Sequence, residues 1–336
     1  MPLANRPATR VILNRPLKIA VVIPCYRVTA SIASVIAVMP DCVTKIYCVD
    51  DGCPDQSGLA IKATQTDPRI EVVFNTQNLG VGGAIITGYR KALEDRMEVV
   101  VKVDGDGQMD PAEIPRLVAP LENGWADYVK GNRFYDLEHV RSMPPARIVG
   151  NAMLSFLVKL SSGYWGLFDP TNGYTAIHHT VLRLLPLQKI AQDYFFESDM
   201  LFRLNTVRAV VVDLPMRAIY GDEESHLKIV QIIVKFPLRI LRNTLKRIGY
   251  NYFLRDFNIA SLEILVGLPL LLFGLVFGLN KWIAAVQAGL AASAGTVMLA
   301  GLTFLIGVQL LISALNFDVT NTPSIPLQKL LETDRI

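Results

Sequence analysis

Residues 264–317 carry a single charge, Lys281. That stretch constrains the fold more than any other, because a run so long and apolar is stable in a bilayer or deep inside a large core and almost nowhere else. Residues 264–280 give seventeen uncharged positions and 282–317 give thirty-six, against the roughly 18 to 20 that cross a bilayer. As one helix the second run would reach about 54 Å, well beyond a hydrocarbon core of roughly 30 Å. A turn is therefore expected within 289–295 (Gly-Leu-Ala-Ala-Ser-Ala-Gly), with a second span near 296–316. No polar face is visible on either helix, which disfavours a soluble hairpin. Gly267, Gly274 and Gly278 permit close helix packing, which leaves a homo-oligomer open.

Basic residues crowd the approach to the first span: Lys228, Lys235, Arg239, Arg242, Lys246, Arg247 and Arg255, interleaved with Ile, Val, Leu, Phe and Tyr. The positive-inside rule puts this flank in the cytoplasm, and the segment is expected to form amphipathic helices, broken at Pro237, on an anionic membrane surface. Residues 1–16 are polar, with Arg and Pro and no apolar core, so no secretory signal is expected. The chain is thus expected at the cytoplasmic (inner) membrane as a multi-pass protein. Its parts are a cytoplasmic catalytic domain (1–225), basic interfacial helices (226–258), two transmembrane helices (259–317) and a cytoplasmic tail (318–336). The net charge of +3 is less telling than the local basic cluster, and no nucleic-acid partner is expected. Cys25, Cys42, Cys48 and Cys53 form no C-x-x-C pair, which points to free thiols rather than zinc or disulfides.

In the first 130 residues short apolar runs alternate with helical stretches. Strands are expected at 19–23, 45–49, 70–74, 99–103 and 128–130, and helices at 30–38, 57–66, 83–94 and 111–121. This succession implies an α/β, Rossmann-type, mainly parallel sheet with right-handed crossovers. Further on, a helix over 147–161, a turn at 168–173, a helix over 195–204 and a strand over 209–214 complete the same domain.

The chemistry concentrates at strand ends. Residues 102–110 read Lys-Val-Asp-Gly-Asp-Gly-Gln-Met-Asp directly after an apolar strand, and ligands collect at the carboxyl ends of strands in sheets of this kind. Asp104, Asp106 and Gln108 alternate so as to aim hard oxygen donors at one point, which suits Mg²⁺ or Mn²⁺ carrying a diphosphate. An EF-hand is excluded, since its sixth and twelfth positions hold Met109 and Pro115. The first strand ends at Pro24-Cys-Tyr26-Arg and the second at Asp50-Asp51-Gly; Asp51 is placed to accept from a base or ribose and Tyr26 to pack on the ring. Asn78-Leu-Gly-Val-Gly82-Gly-Ala opens a helix whose amides suit a phosphate or ribose, although neither G-x-G-x-x-G nor G-K-[ST] is present. Arg133, Arg141 and Arg147 offer guanidinium groups for phosphate, and Asp169 sits in a Pro/Gly-shaped turn. Glu197 and Asp199 lie in an otherwise apolar helix, as buried partners of an Arg often do.

In this order the pieces resemble glycosyltransferase family 2, and within it the membrane polyprenyl-phosphate glycosyltransferases similar to dolichol-phosphate mannose synthase. The resemblance implies a GT-A-like fold, a nucleotide-diphosphate sugar donor (UDP as a first guess), a polyprenyl phosphate acceptor and transfer with inversion. It also implies that Asp51 contacts the nucleoside, Asp104 the ribose or sugar region, and Asp106 with Gln108 the metal. Asp169 would orient acceptor or sugar, and the three arginines would hold the acceptor phosphate. One departure is plain: the family's Pro-x-Tyr-Asn-Glu reads Pro24-Cys-Tyr-Arg-Val28 here. A processive polysaccharide synthase is the nearest rival, but no Gln-x-x-Arg-Trp occurs and two spans are few for a polymer pore. A sugar nucleotidyltransferase leaves the apolar segment unexplained, and a non-catalytic nucleotide-sugar-binding membrane protein leaves the metal-ligand cluster without a purpose.

Overall fold

The computed structural model describes residues 16–135, 145–216 and 229–331. Seven strands form one sheet in the order β3-β2-β1-β4-β6-β5-β7. They are β1 Ile19–Cys25, β2 Val43–Asp50, β3 Ile70–Phe74, β4 Val99–Lys102, β5 Tyr128–Asn132, β6 Thr175–His178 and β7 Val211–Pro215. Only β6 runs against its neighbours. The five strands expected from the first 130 residues are all present, as is the strand near 209–214. By contrast, β6 was not foreseen: four buried residues following a turn carry no alternation that distinguishes a strand.

Alternation along the strands divides the core in two. Ala20, Val22, Tyr47 and Val49 face α3 (Val81–Glu94) and α7 (Phe196–Thr206), whereas Val21, Ile23, Ile46 and Cys48 face α1 (Ile32–Ala37), α2 (Ser57–Thr64) and α4 (Ile114–Glu122). Both faces of the central strands are therefore covered by apolar side chains, and the buried aspartates Asp50 and Asp51 stand at the carboxyl edge. Helices α5 (Pro145–Ser162) and α6 (His179–Leu184) complete the domain.

Helix α8 (Ile229–Ile248) runs unbroken through Pro237, contrary to the expected break. A proline costs the helix one hydrogen bond, and packing holds the helix through it. Ile240, Asn243, Thr244 and Arg247 are buried on one face, with α8 laid against α5 and α7. A π-helical turn, Gly249–Arg255, then leads into α9 (Ile259–Ala288). Helices α9 and α10 (Ala294–Thr320) have thirty and twenty-seven residues, about 45 and 40 Å at 1.5 Å per residue. Gly289 ends α9 in the left-handed conformation at φ 65°, within the stretch where the turn was expected. Leu265, Leu268, Leu272, Leu275, Leu302 and Leu305 of the two helices are exposed, whereas Leu310 and Leu311 pack toward Gly267.

Small residues serve the hairpin itself. A Cβ on Gly274 would fall 2.8 Å from the Phe304 Cα, and one on Gly307 2.8 Å from the Gly267 carbonyl oxygen. Gly267 and Gly274 thus let α9 and α10 touch within one chain, and Ser313 donates to Glu263 across the pair at 2.6 Å.

Two sets of contacts fasten the hairpin to the domain. On one side, Arg247 of α8 forms an ion pair with Asp318 of α10 at 2.6 Å, and Asp318 also accepts from the Trp165 indole at 2.8 Å and from the Tyr252 hydroxyl. On the other, the chain beyond α10 folds back as α11 (Leu327–Leu331). The buried Asp127 carboxylate accepts the Leu327 and Gln328 amides at 2.9 and 3.1 Å, and Arg208 donates to the Asn321 carbonyl at 2.9 Å.

Candidate active site at the carboxyl edge of the sheet

Three strand ends bring the expected residues to one edge, but they do so in different states. After β1, Tyr26 is exposed and Arg27, at φ 58°, lies 5.6 Å over its ring. Pro24 closes the strand beneath them, paired in register with Val49 of β2.

After β2, both aspartates are buried and occupied. Asp50 accepts the Cys53 amide at 2.8 Å and the Gly58 amide at 2.7 Å, capping the turn and the first residues of α2. Asp51 accepts the Asn75 side-chain amide at 2.7 Å, the Leu79 amide at 3.0 Å and the Gly80 amide at 2.8 Å. Asp51 therefore ties down the 75–80 loop. The Gly-rich opening of α3 is likewise committed to packing. Asn78 accepts the Gly80 amide at 2.9 Å, the Gly83 amide is bonded to the Gln192 carbonyl at 3.0 Å, and a Cβ on Gly82 would meet the Phe196 Cβ at 2.9 Å. The loop expected to offer Asn78 and Gly82 to a phosphate or ribose therefore has protein acceptors on the Gly80 and Gly83 amides, and a Cβ on Gly82 would meet the wall made by Ala191 and Phe196.

After β4 the picture differs. Asp104, Asp106 and Gln108 are only partly covered. Asp106 accepts the Gln108 amide at 2.9 Å in a short turn made possible by Gly107 at φ 82°. Asp104 is ion-paired at 2.9 Å with Lys102, whose side chain is 2 % exposed and also reaches Glu197 at 3.2 Å. Burial alone would lower the Lys102 pKa, yet Asp104 and Glu197 outweigh it and hold the ammonium above its ordinary value. Glu197 was expected to pair with an Arg; its partner is this lysine. Asp199 does pair with an Arg, accepting from Arg203 at 2.9 Å.

Carboxylates and an amide, with no thiolate or imidazole, are hard donors of the kind Mg²⁺ and Mn²⁺ prefer. Among the described residues no group of three or more His, Cys, Asp or Glu converges on one point. One or two carboxylates completed by substrate phosphate oxygens and water is how Mg²⁺ is commonly held. The residues fit such an ion when a diphosphate accompanies it.

Beneath this edge runs a polar row that sequence reasoning missed. Lys102, Thr175, Lys130 and Asp213 stand in register across β4, β6, β5 and β7. Lys130 is fully buried and donates to the Asn172 carbonyl; burial pushes its pKa down to about 8 despite the pull of Asp169. Burial raises the pKa of Asp213, which accepts the Phe168 amide at 2.7 Å and the Asn132 side-chain amide at 3.2 Å. A lysine within a Val-rich strand was a legible signal, but its partner Glu197 lies 95 residues away.

At the rim, Arg133 clasps Asp169 through two guanidinium nitrogens, at 2.8 and 3.2 Å. Asp169 is fully buried and also accepts the Arg133 amide at 3.2 Å. The structure thus places Asp169 behind Arg133, where it orients the guanidinium. Beside the pair opens a cavity of about 260 Å³ lined by Phe134, Ile148, Ala152, Phe156 and Phe168, with Lys159 on its wall. Arg141 lies outside the described residues, and Arg147 is in the first turn of α5 with its side chain outside them.

Residues 20–185 match the family model described as glycosyl transferase family 2. The chain is 30% identical over 204 residues to the undecaprenyl-phosphate mannosyltransferase of Micrococcus luteus, covering 60% of this chain and 83% of that protein. It is 28% identical over 234 residues to the UDP-N-acetylglucosamine–dolichyl-phosphate N-acetylglucosaminyltransferase of Methanococcus voltae, covering 66% and 92%. Over 285 residues it is 26% identical to the dolichol-phosphate mannosyltransferase of Pyrococcus furiosus, covering 81% and 76%. Among solved structures, a UDP complex of glucosyl-3-phosphoglycerate synthase from Mycobacterium tuberculosis superposes with a TM-score of 0.50 at 22% identity, over 69% of this chain and 80% of that one. That likeness bears on the fold alone, and it agrees with the GT-A-like sheet described above.

Proposed function

The chain belongs to glycosyltransferase family 2, and from that premise we propose that it moves a sugar from a nucleotide-diphosphate donor to the phosphate of a polyprenyl phosphate. Transfer proceeds with inversion, at the cytoplasmic face of a membrane crossed by α9 and α10. The observation that carries this reading is the contrast at one sheet edge: Asp104, Asp106 and Gln108 are partly exposed beside an Arg133–Asp169 pair and an apolar cavity. Three relatives named above act, by their names, on dolichyl or undecaprenyl phosphates.

Asp106 and Gln108, with Asp104, would hold Mg²⁺ or Mn²⁺, which when bound neutralises charge on the departing diphosphate. The residues of the chain supply the rest. Lys102 holds Asp104 in place from below and keeps the interior charge balanced against Glu197. Tyr26 offers a ring face to the base, and Asp51 keeps the adjoining loop in shape. Arg133, oriented by Asp169, meets the acceptor phosphate with Arg141 and Arg147, and the apolar cavity beside it takes the first isoprene units. A phosphomonoester has a second pKa of about 6, so the acceptor is already largely anionic at neutral pH and no strong general base is required. Positioning then provides much of the acceleration.

The test incubates membranes containing the chain with labelled UDP-, GDP- and dTDP-sugars and a polyprenyl phosphate. Chloroform-extractable label that disappears with Asp106→Ala is the expected outcome. Long polymer would instead identify a processive synthase, and donor binding without product a sensor. Lipid-linked product retained by Asp106→Ala at saturating Mg²⁺ or Mn²⁺ would overturn the metal role.

A further inference from the structure

A cavity of about 780 Å³ lies away from the active edge. It lies between α7 and α8, and Lys189, Arg203, Arg239, Arg242 and Lys246 all line it. Its acidic residue, Asp199, is consumed: it accepts Arg203 at 2.9 Å, the Ala191 amide at 3.0 Å and the Asn243 side-chain amide at 3.0 Å. Arg239 is occupied too, by Asp193 at 2.6 Å and by the Phe195 ring at 4.3 Å. Lys189, Arg242 and Lys246 remain, with no ion pair among the described residues. Arg242 and Lys246 are four residues apart on one helix, an arrangement of like charges that costs stability unless a counterion joins them.

The helix that supplies them has three faces. Ile240, Asn243, Thr244 and Arg247 are buried, Leu238, Leu241 and Leu245 are exposed at 69, 54 and 62 %, and the helical repeat sets Arg239, Arg242 and Lys246 between the two. An exposed leucine stripe on a basic helix, just ahead of a membrane-length apolar helix, lies at headgroup depth. The cations beside it then sit where phosphate esters are concentrated. We propose that this cavity binds a phosphate-ester anion, with the headgroup of an anionic membrane lipid as its ligand. The site is separate from the transfer edge and does not depend on the transferase reading, since binding can be followed without turnover.

The full chain, purified in neutral detergent, is melted with added dioleoylphosphatidylglycerol, with dioleoylphosphatidylcholine, or with inorganic phosphate. Phosphatidylglycerol is expected to raise the melting temperature and phosphatidylcholine to leave it unmoved. Each basic residue near an anionic surface is worth about fivefold in affinity. Arg242→Gln with Lys246→Gln should therefore raise the half-saturating phosphatidylglycerol concentration about 25-fold. Lys189→Gln, which approaches the cavity from the catalytic domain, should raise it about fivefold and guards against a helix that merely misfolds. A shift by inorganic phosphate that the same variants abolish would also support the pocket, with a soluble phosphate as its ligand. Arg255→Gln is the control for diffuse surface charge, because Arg255 lies beyond the cavity lining with its guanidinium on the Thr206 carbonyl at 2.8 Å. A loss in Arg255→Gln equal to that in Arg242→Gln, or no shift of the wild-type chain by phosphatidylglycerol or phosphate, would overturn the proposal.

Discussion

After β2 the chain reads Asp50-Asp51-Gly52, and after β4 it reads Asp104-Gly105-Asp106; the two turns flank β1 at the same edge of one sheet. Their carboxylates nevertheless meet different surroundings. Asp50 and Asp51 accept five hydrogen bonds from the protein and are almost wholly buried. Asp104 is balanced by one buried lysine, and Asp106 folds onto its own turn, both at the solvent boundary. The difference teaches that an acid at a strand end becomes buried scaffolding when its own loop supplies N–H donors, and stays at the solvent boundary when the loop turns away.

Four substitutions press on that contrast. The largest effect is expected from Asp106→Ala, which should cut lipid-linked product by roughly 10³-fold, the several kcal/mol expected of a metal site, while the melting temperature of the ligand-free chain holds. A melting temperature that falls together with activity would erase the distinction between the two turns. Next, Lys102→Met removes the buried cation shared by the partly covered Asp104 and Glu197 carboxylates and should destabilise the fold by about 3 kcal/mol; thermal melts of the full chain in detergent read this directly.

Asp51→Ala should cost about 2 kcal/mol by stranding the Leu79 amide and the Asn75 side-chain amide, Gly80 keeping its bond to Asn78, and this loss should appear without any donor present. An Asp51→Ala chain as stable as wild type, with impaired donor binding, would return Asp51 to the nucleoside contact first expected of it. The smallest effect is a pH dependence. Lys130 has its folded pKa pushed down to about 8, below the unfolded value of about 10.4. Between these values the unfolded chain binds more protons, so this group makes stability rise with pH over that window. The melting temperature of wild type relative to that of Lys130→Met should therefore rise between pH 8 and 10.

Much of the molecule was legible because its signals are local. Val-rich runs marked the parallel strands, and the gap in apolar length between one span and two marked the turn that Gly289 makes. What stayed hidden depends on partners remote in sequence. Nothing near Asp51 announces that Asn75 will occupy it, and nothing near Gly82 reveals the wall formed by Ala191 and Phe196. Arg247 read as one more cation of a membrane-facing cluster, yet it is 1 % exposed and paired with Asp318, 71 residues on. Pro237 read as a break because proline rules describe isolated helices, and tertiary packing overrode them.

The Arg247–Asp318 bridge and the Asp127 clasp on α11 fasten the catalytic domain at the chain's entry into the hairpin and again at its exit. A body anchored on both sides of a loop cannot swing away from the plane beneath it. With α9 and α10 across a bilayer, as proposed, its standoff from the lipid becomes a property of the fold, like the fixed gap of a caliper. On the proposed reading, the head of a lipid acceptor needs to rise only to that one height, and the length of hydrocarbon trailing behind it does not alter the climb.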